Sequence, residues 1–420
     1  MGSSCNPSTI PATWRGWGSS PMISDRPQAG AGWKRAYRPR LAWLEGAGGG
    51  WEPVDVLAGK AEVLHITGKW KEAESILRGN AATAEGRQDE ARKAGSLAKL
   101  GNLLIDLGRK DEAIEALRQA ESFYRRSRDR KGLGNVIGLI GVHHFFLGEH
   151  QEAMELFRQR LKLAEEDRDL QGISKALLNI GAVHSRLGQY RQALECYQEK
   201  LKIADFLGDK RDLSFVLGNM GVIHSKTGKH QQALDLYRQR IKLAEELGDR
   251  KGLAVALGNA GVVLVKLDRP SEALGLFQKQ LSIATEMGDR RVRCVALGCI
   301  GDIMRREGRF DEARARLDEQ ARMAEEIGDR KLTDSAETYL GDLERDLGND
   351  SLAREHFMRA LAGSESFDDP TDTAKILEKL VTACRKLGDD EGIMLYEDKL
   401  QELNRIPGSG EPAVEDRTGA

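Results

Sequence analysis

Apolar residues fall three and four positions apart along most of this chain, the spacing of one buried stripe on an α-helix. Leu213, Val216, Leu217, Met220 and Ile223 make one such stripe, with His224 at its end. Gly228 follows, where a left-handed residue would close the helix. Ala233, Leu236, Tyr237, Ile241 and Ala244 make a second stripe, closed by Gly248. The pattern predicts a helix over about 211–227, a second over about 229–247, and a link beginning at Asp249. So short a connection between two helices makes them antiparallel neighbours.

The same pattern returns every forty residues. Gly101, Gly141, Gly181, Gly221, Gly261, Gly301 and Gly341 hold one column. Ala113, Ala153, Ala193, Ala233, Ala273, Ala313 and Ala353 hold another, and Asp129 through Asp329 a third. The cap glycine recurs from Gly108 to Gly348, replaced once by Asp268. A period of this length marks a repeat array, in which each unit buries its surface against the next. About nine helix pairs fit between residues 54 and 404, so the expected fold is an all-α solenoid. Glycine inside a helix costs roughly 1 kcal/mol relative to alanine. Close crossing of the two helices at Gly221 and Ala233 would offset that cost. Gly218, Gly258 and Gly298 admit two readings: simple packing, or close approach of a ligand backbone.

These residues resemble the tetratricopeptide repeat, with Leu217, Met220, Gly221, His224, Ala233 and Tyr237 at its motif positions. Units from 101 to 360 fit at nearly every position, and the flanking units fit loosely. The unit is longer than the common form and lacks its closing proline. Its phrasing is similar to a long-repeat subfamily that includes Pins-like adaptors and, more distantly, kinesin light chain. The resemblance implies a right-handed superhelix whose first helices line a concave groove for extended peptide segments of partner proteins.

On the face that the resemblance assigns to the groove stand Asn179, Asn219 and Asn259, forty apart. An asparagine side chain offers both a donor and an acceptor, so a ladder of them would read main chain irrespective of sequence. The plainer reading is a solvated helix face. Arg186, Lys226, Lys266 and Arg306 form a basic stripe, flanked by Ser185 and Ser225, with Val222 and Val262 as apolar floor. Such a surface suits an extended, partly acidic partner, and equally an ordinary solvated charge row. The face turns mixed at Asp302, Arg305, Asp342 and Arg345, and apolar at Leu139, Val142, Phe145 and Phe146. His144, His184 and His224 form a column too, but helices packed roughly 10 Å apart keep three rings from one metal ion.

Composition narrows the function further. The 64 basic and 66 acidic residues nearly cancel, so no global field points to nucleic acid or membrane. The five cysteines are scattered without paired spacing, which fits reduced thiols in the cytoplasm and no structural metal. No cofactor is expected, and no nucleophile–base pair or phosphate loop marks an enzyme. Residues 1–53 hold five of the six tryptophans amid Gly, Pro and Ser, and read as a disordered leader. Residues 405–420 read as a disordered tail. The expected role is a scaffold or adaptor that binds a partner peptide. The alternative is a regulatory or sensor module acting on a separate signalling enzyme or transcription regulator.

Overall fold

A computed structural model describes residues 54–66, 68–364 and 370–405. The leader and nearly all of the expected tail lie outside the described residues. Eighteen helices make up the secondary structure among the described residues, the number expected for nine pairs. They are α1 (Val54–Ile66), α2 (Trp70–Gly86), α3 (Glu90–Asp106), α4 (Lys110–Ser127) and α5 (Arg130–Leu147) in a first compact unit. A second compact unit holds the rest. It runs α6 (His150–Glu166), α7 (Leu170–Arg186), α8 (Tyr190–Phe206), α9 (Lys210–Lys226), α10 (His230–Leu247), α11 (Arg250–Lys266) and α12 (Pro270–Met287). It continues through α13 (Arg290–Arg306), α14 (Phe310–Ile327), α15 (Arg330–Asp346), α16 (Asp350–Ser364), α17 (Pro370–Leu387) and α18 (Asp390–Arg405).

Within each unit every helix packs against the next in sequence. In the second unit α9 also touches α11, α11 touches α13, and α13 touches α15. Within the second unit α9, α11, α13 and α15 therefore stand side by side, each with its second helix packed against it.

The turns explain the regularity. A left-handed residue stands at every twentieth position through the second unit as far as Gly348, including Gly188, Gly208, Gly228 and Gly248. Asp268 adopts the same conformation at φ 56°, without the glycine that favours it. The side-chain pattern thus repeats every forty residues, while the turn geometry repeats every twenty. The aspartates of the third column do more than begin a link. Asp209 accepts from the Asp212 N–H at 2.9 Å and Asp249 from the Gly252 N–H at 2.9 Å, so each caps the first helix of its pair.

The glycines of the first column make room for a large residue on the second helix. A Cβ at Gly221 would lie 2.7 Å from the Tyr237 ring, and one at Gly261 would lie 2.7 Å from Phe277. Tyr197 and Phe357 fill the same space at Gly181 and Gly341, and leucines do so at Gly101 and Gly301. Ala193, Ala233, Ala273 and Ala313 are wholly buried beside them. The crossing is as close as the repeat pattern requires, and the ring rather than the alanine is what the glycine admits.

Candidate functional site

Three first helices of the second unit present the expected face. On α9, Phe215, Asn219, Val222 and Lys226 follow at intervals of four, three and four, which places them on one side of the helix. Lys175, Asn179, Ala182 and Arg186 occupy these positions on α7, and Val255, Asn259, Val262 and Lys266 on α11. Val222 and Val262 are exposed at 36% and 43%. Phe215 and Val255 are half-buried and extend this apolar floor, which the sequence reading passed over. Arg186, Lys226 and Lys266 are exposed, and Ser185 and Ser225 are half-buried beside them.

The asparagine column is not uniform. Asn219 and Asn259 are half-buried, but Asn179 is wholly buried, so only two of the three amides reach the accessible face. The basic column is not uniform either. Arg306 on α13 donates from Nε to Asp302 at 2.9 Å, four residues earlier on the same helix. Asp302 also accepts from Arg305 Nη2 at 2.8 Å, and Arg305 reaches Asp346. Arg345 and Lys379 close on Asp342. Burial works against the Arg305 charge, yet Asp302, Asp346 and Asp342 hold its pKa above the ordinary value. The mixed end of the face is therefore an internally neutralised ion network.

The apolar residues at the other end belong to the first unit. Val142 and Phe145 are buried there and Phe146 is 49% exposed. Two of the three histidines in the column turn toward their own loops. His144 Nδ1 meets Glu149 and His184 Nδ1 meets Gln189 at 2.6 Å, each five residues on. Burial lowers the pKa of His224.

A polar column that sequence reading missed runs along the second helices. Arg160, Lys200, Arg240, Gln280 and Gln320 are all at most 8% exposed, at a position where Ala120 and Ala360 are wholly buried. Lys200 Nζ donates to Ser174 Oγ at 2.8 Å and to Asp212 Oδ2 at 2.7 Å. The column also settles the second set of glycines. A Cβ at Gly218 would lie 2.4 Å from Arg240 Nη1, one at Gly258 2.4 Å from Gln280 Nε2, and one at Gly298 2.5 Å from Gln320 Nε2. These glycines admit polar side chains from behind. The forty-residue spacing of long polar residues amid a buried stripe was the signal for them.

Burial pushes the Cys294 thiol up to about 11 and the Cys299 thiol up to about 12, so both stay protonated at neutral pH. Among the described residues no group of His, Cys, Asp and Glu is arranged to hold a metal ion. None of the described helices is long and apolar enough to cross a membrane.

A tetratricopeptide repeat model matches residues 94–166, 172–246 and 292–366, and a second one matches 256–291. Similar solved structures include the apo form of RapI, 14% identical with TM-score 0.63, over 85% of this chain and 99% of that one. Aspartyl phosphate phosphatase F from Bacillus subtilis is 12% identical with TM-score 0.60, over 86% of this chain and 97% of that one. The Rap conjugation gene regulator of plasmid pLS20, in complex with the Phr* peptide, is 14% identical with TM-score 0.54, over 80% and 97%. Identities this low establish a shared fold and nothing more. A search of curated protein sequences gives no match. The family models cover more than half of the residues, so the chain belongs to the tetratricopeptide repeat family.

Proposed function

We propose that this tetratricopeptide repeat chain is an adaptor whose face on α7, α9 and α11 binds an extended, partly acidic segment of a partner protein. One observation carries the reading: three exposed cations, Arg186, Lys226 and Lys266, stand in register beside the exposed apolar floor of Val222 and Val262. Cations at an apolar edge attract an acidic segment and orient it, while the floor takes its apolar side chains. Asn219 and Asn259 would pair with its main chain. The similar Rap regulator in complex with a peptide supports a peptide partner over nucleic acid or a membrane. The free cysteines Cys196, Cys294, Cys299 and Cys384 fit a cytoplasmic setting.

A regulatory role is the second reading. It has the support of the similar protein described as a conjugation gene regulator. On that reading, peptide capture would change the activity of a separate enzyme or transcription regulator.

The test is selection of a random peptide display library on the full chain. The counter-screen uses Arg186→Glu, Lys226→Glu and Lys266→Glu combined, with folding checked by circular dichroism. Acidic peptides that bind the wild type, lose affinity for the variant by at least about tenfold and weaken with salt support the reading. Peptides that bind both chains equally would show that this face is not the site.

A further inference from the structure

Helices α7 and α11 carry no Asp or Glu, and the single carboxylate of α9, Asp212, is held by Lys200 Nζ at 2.7 Å and Ser174 Oγ at 3.1 Å. Carboxylates enter the face only at Asp302 on α13 and at Asp342 and Asp346 on α15. The stretch that favours an anion therefore ends before α13. The apolar floor does not end there. Val295 on α13 continues the row of Phe215 and Val255 and is 43% exposed. The face thus holds two rows of different chemistry. Phe215, Val255 and Val295 make an apolar row across α9, α11 and α13, and Arg186, Lys226 and Lys266 make a cationic row across α7, α9 and α11. Asn219 and Asn259 stand between the rows. On one helix the rows lie roughly 16 Å apart, at 1.5 Å per residue from Phe215 to Lys226. A single chain laid over the asparagines reaches both rows with its side chains.

The helix spacing selects the conformation of that chain. The touching helices α9, α11 and α13 have axes roughly 8–10 Å apart, so the apolar row is roughly 16–20 Å long. A β-strand returns a side chain to the same side every two residues, and two such steps cover about 13 Å. A polyproline II segment does so every three residues, and two such steps cover about 19 Å. Only the second matches the row. From this arrangement we infer that the peptide face reads a polyproline-II-like segment with a three-residue period. Apolar side chains at i, i+3 and i+6 lie on Phe215, Val255 and Val295. In the turns that cross α9 and α11, a second side chain is acidic and faces Lys226 or Lys266, and the third points to solvent. The rows are offset by one helix, so the segment is acidic at its end over Arg186 and apolar at its end over Val295. The inference rests on the peptide-binding reading above and adds the period and the side-chain pattern of the ligand.

The test uses peptides enriched from the random library on the wild-type chain. Alanine scanning of an enriched peptide is expected to find apolar anchors three residues apart, each worth roughly tenfold in affinity. Deleting one residue between two anchors should weaken binding by at least about tenfold, because the later anchor leaves its row. Val255→Thr with Val295→Thr keeps the shape of the floor and adds a hydroxyl to each side chain. In this variant the affinity should fall by roughly tenfold while its salt dependence stays, because the cations are untouched. Val295→Thr alone, with a smaller loss, serves if the pair unfolds the chain. Anchors two residues apart, anchors without a fixed spacing, or wild-type affinity in the folded variant overturn the inference. The peptide face then still stands on the loss of binding in the combined Arg186, Lys226 and Lys266 variant. A library that yields no acidic binder removes both.

Discussion

Helices α9 and α13 carry a cation at the same register, Lys226 and Arg306, and the two do different things. Lys226 stands exposed next to Val222. Arg306 is tied to Asp302 at 2.9 Å, and Asp302 occupies the position of Val222. The neighbour one helical turn earlier decides whether the charge is offered to a partner or spent inside the molecule. The scaffold is common to both, so a repeat column cannot be read as a function without the residues around it. A second contrast lies behind the face. Lys200 is buried with both of its partners in place, whereas Gln280 and Gln320 are buried without one for Oε1.

That second contrast breaks most visibly in stability. Lys200→Met should cost about 3 kcal/mol in urea unfolding, because it removes the cation from the half-buried Asp212 and leaves that carboxylate only the Ser174 hydroxyl. Gln320→Leu should cost nothing or stabilise. Equal losses would mean that the glutamine is as well satisfied as the lysine. Gly261→Ala, which places a methyl group against the Phe277 ring, should cost about 1–3 kcal/mol by the same measurement. Gly275→Ala meets nothing within 4 Å and should not be destabilising.

The first contrast can be sharpened by substitution. Asp302→Val copies Val222, releases Arg306 and removes both hydrogen bonds from Arg305 to Asp302, leaving Arg305 with Asp346. Affinity for an acidic library peptide should rise about threefold at low salt and return to the wild-type value at high salt. An unchanged affinity would place the ligand away from α13.

A pH effect is expected from Asp334 on α15. Burial, opposed by Arg330 and reinforced by Glu337 and Asp329, pushes its carboxyl up to about 6. The folded state then holds the proton more tightly than the unfolded one. The stability this adds is complete below the ordinary carboxylate range and is lost as pH rises through about 6. Asp334→Asn should remove that part of the decline in thermal midpoint between about pH 4 and pH 6. A profile that keeps its full slope in the variant would assign the dependence elsewhere.

The smallest effect concerns an outer ladder. Lys210 pairs with Glu246 at 2.7 Å, and Arg250 with Glu286 and Arg290 with Glu326 at the same register. Leu170 and Phe206 interrupt it, with Phe206 78% exposed. Leu170→Arg with Phe206→Glu should change stability by less than about 1 kcal/mol while raising solubility, since exposed ion pairs contribute little.

Much of this protein was legible in its sequence. The three-and-four spacing of Leu213 to Ile223, the caps at Gly228 and Gly248, and the forty-residue columns determined the helices, their pairing and the repeat class. Each of these depends on local geometry, which recurs wherever the residues recur. The glycine column was legible as a close crossing for the same reason. The tie between Asp302 and Arg306 is also local, four residues on one helix, and was within reach of the sequence. The partner of Gly221 was not, because the Tyr237 ring arrives from another helix. Nor was the burial of Asn179 beside the half-buried Asn219 and Asn259, since identical letters in one column meet different neighbours. The column from Arg160 to Gln320 is written plainly in the chain. Only tertiary packing decided that Lys200 finds Ser174 and Asp212, and that the amides of Gln280 and Gln320 come to lie behind Gly258 and Gly298. Whether a buried polar group is satisfied depends on which side chains surround it in space, and that is settled only when the helices close on one another.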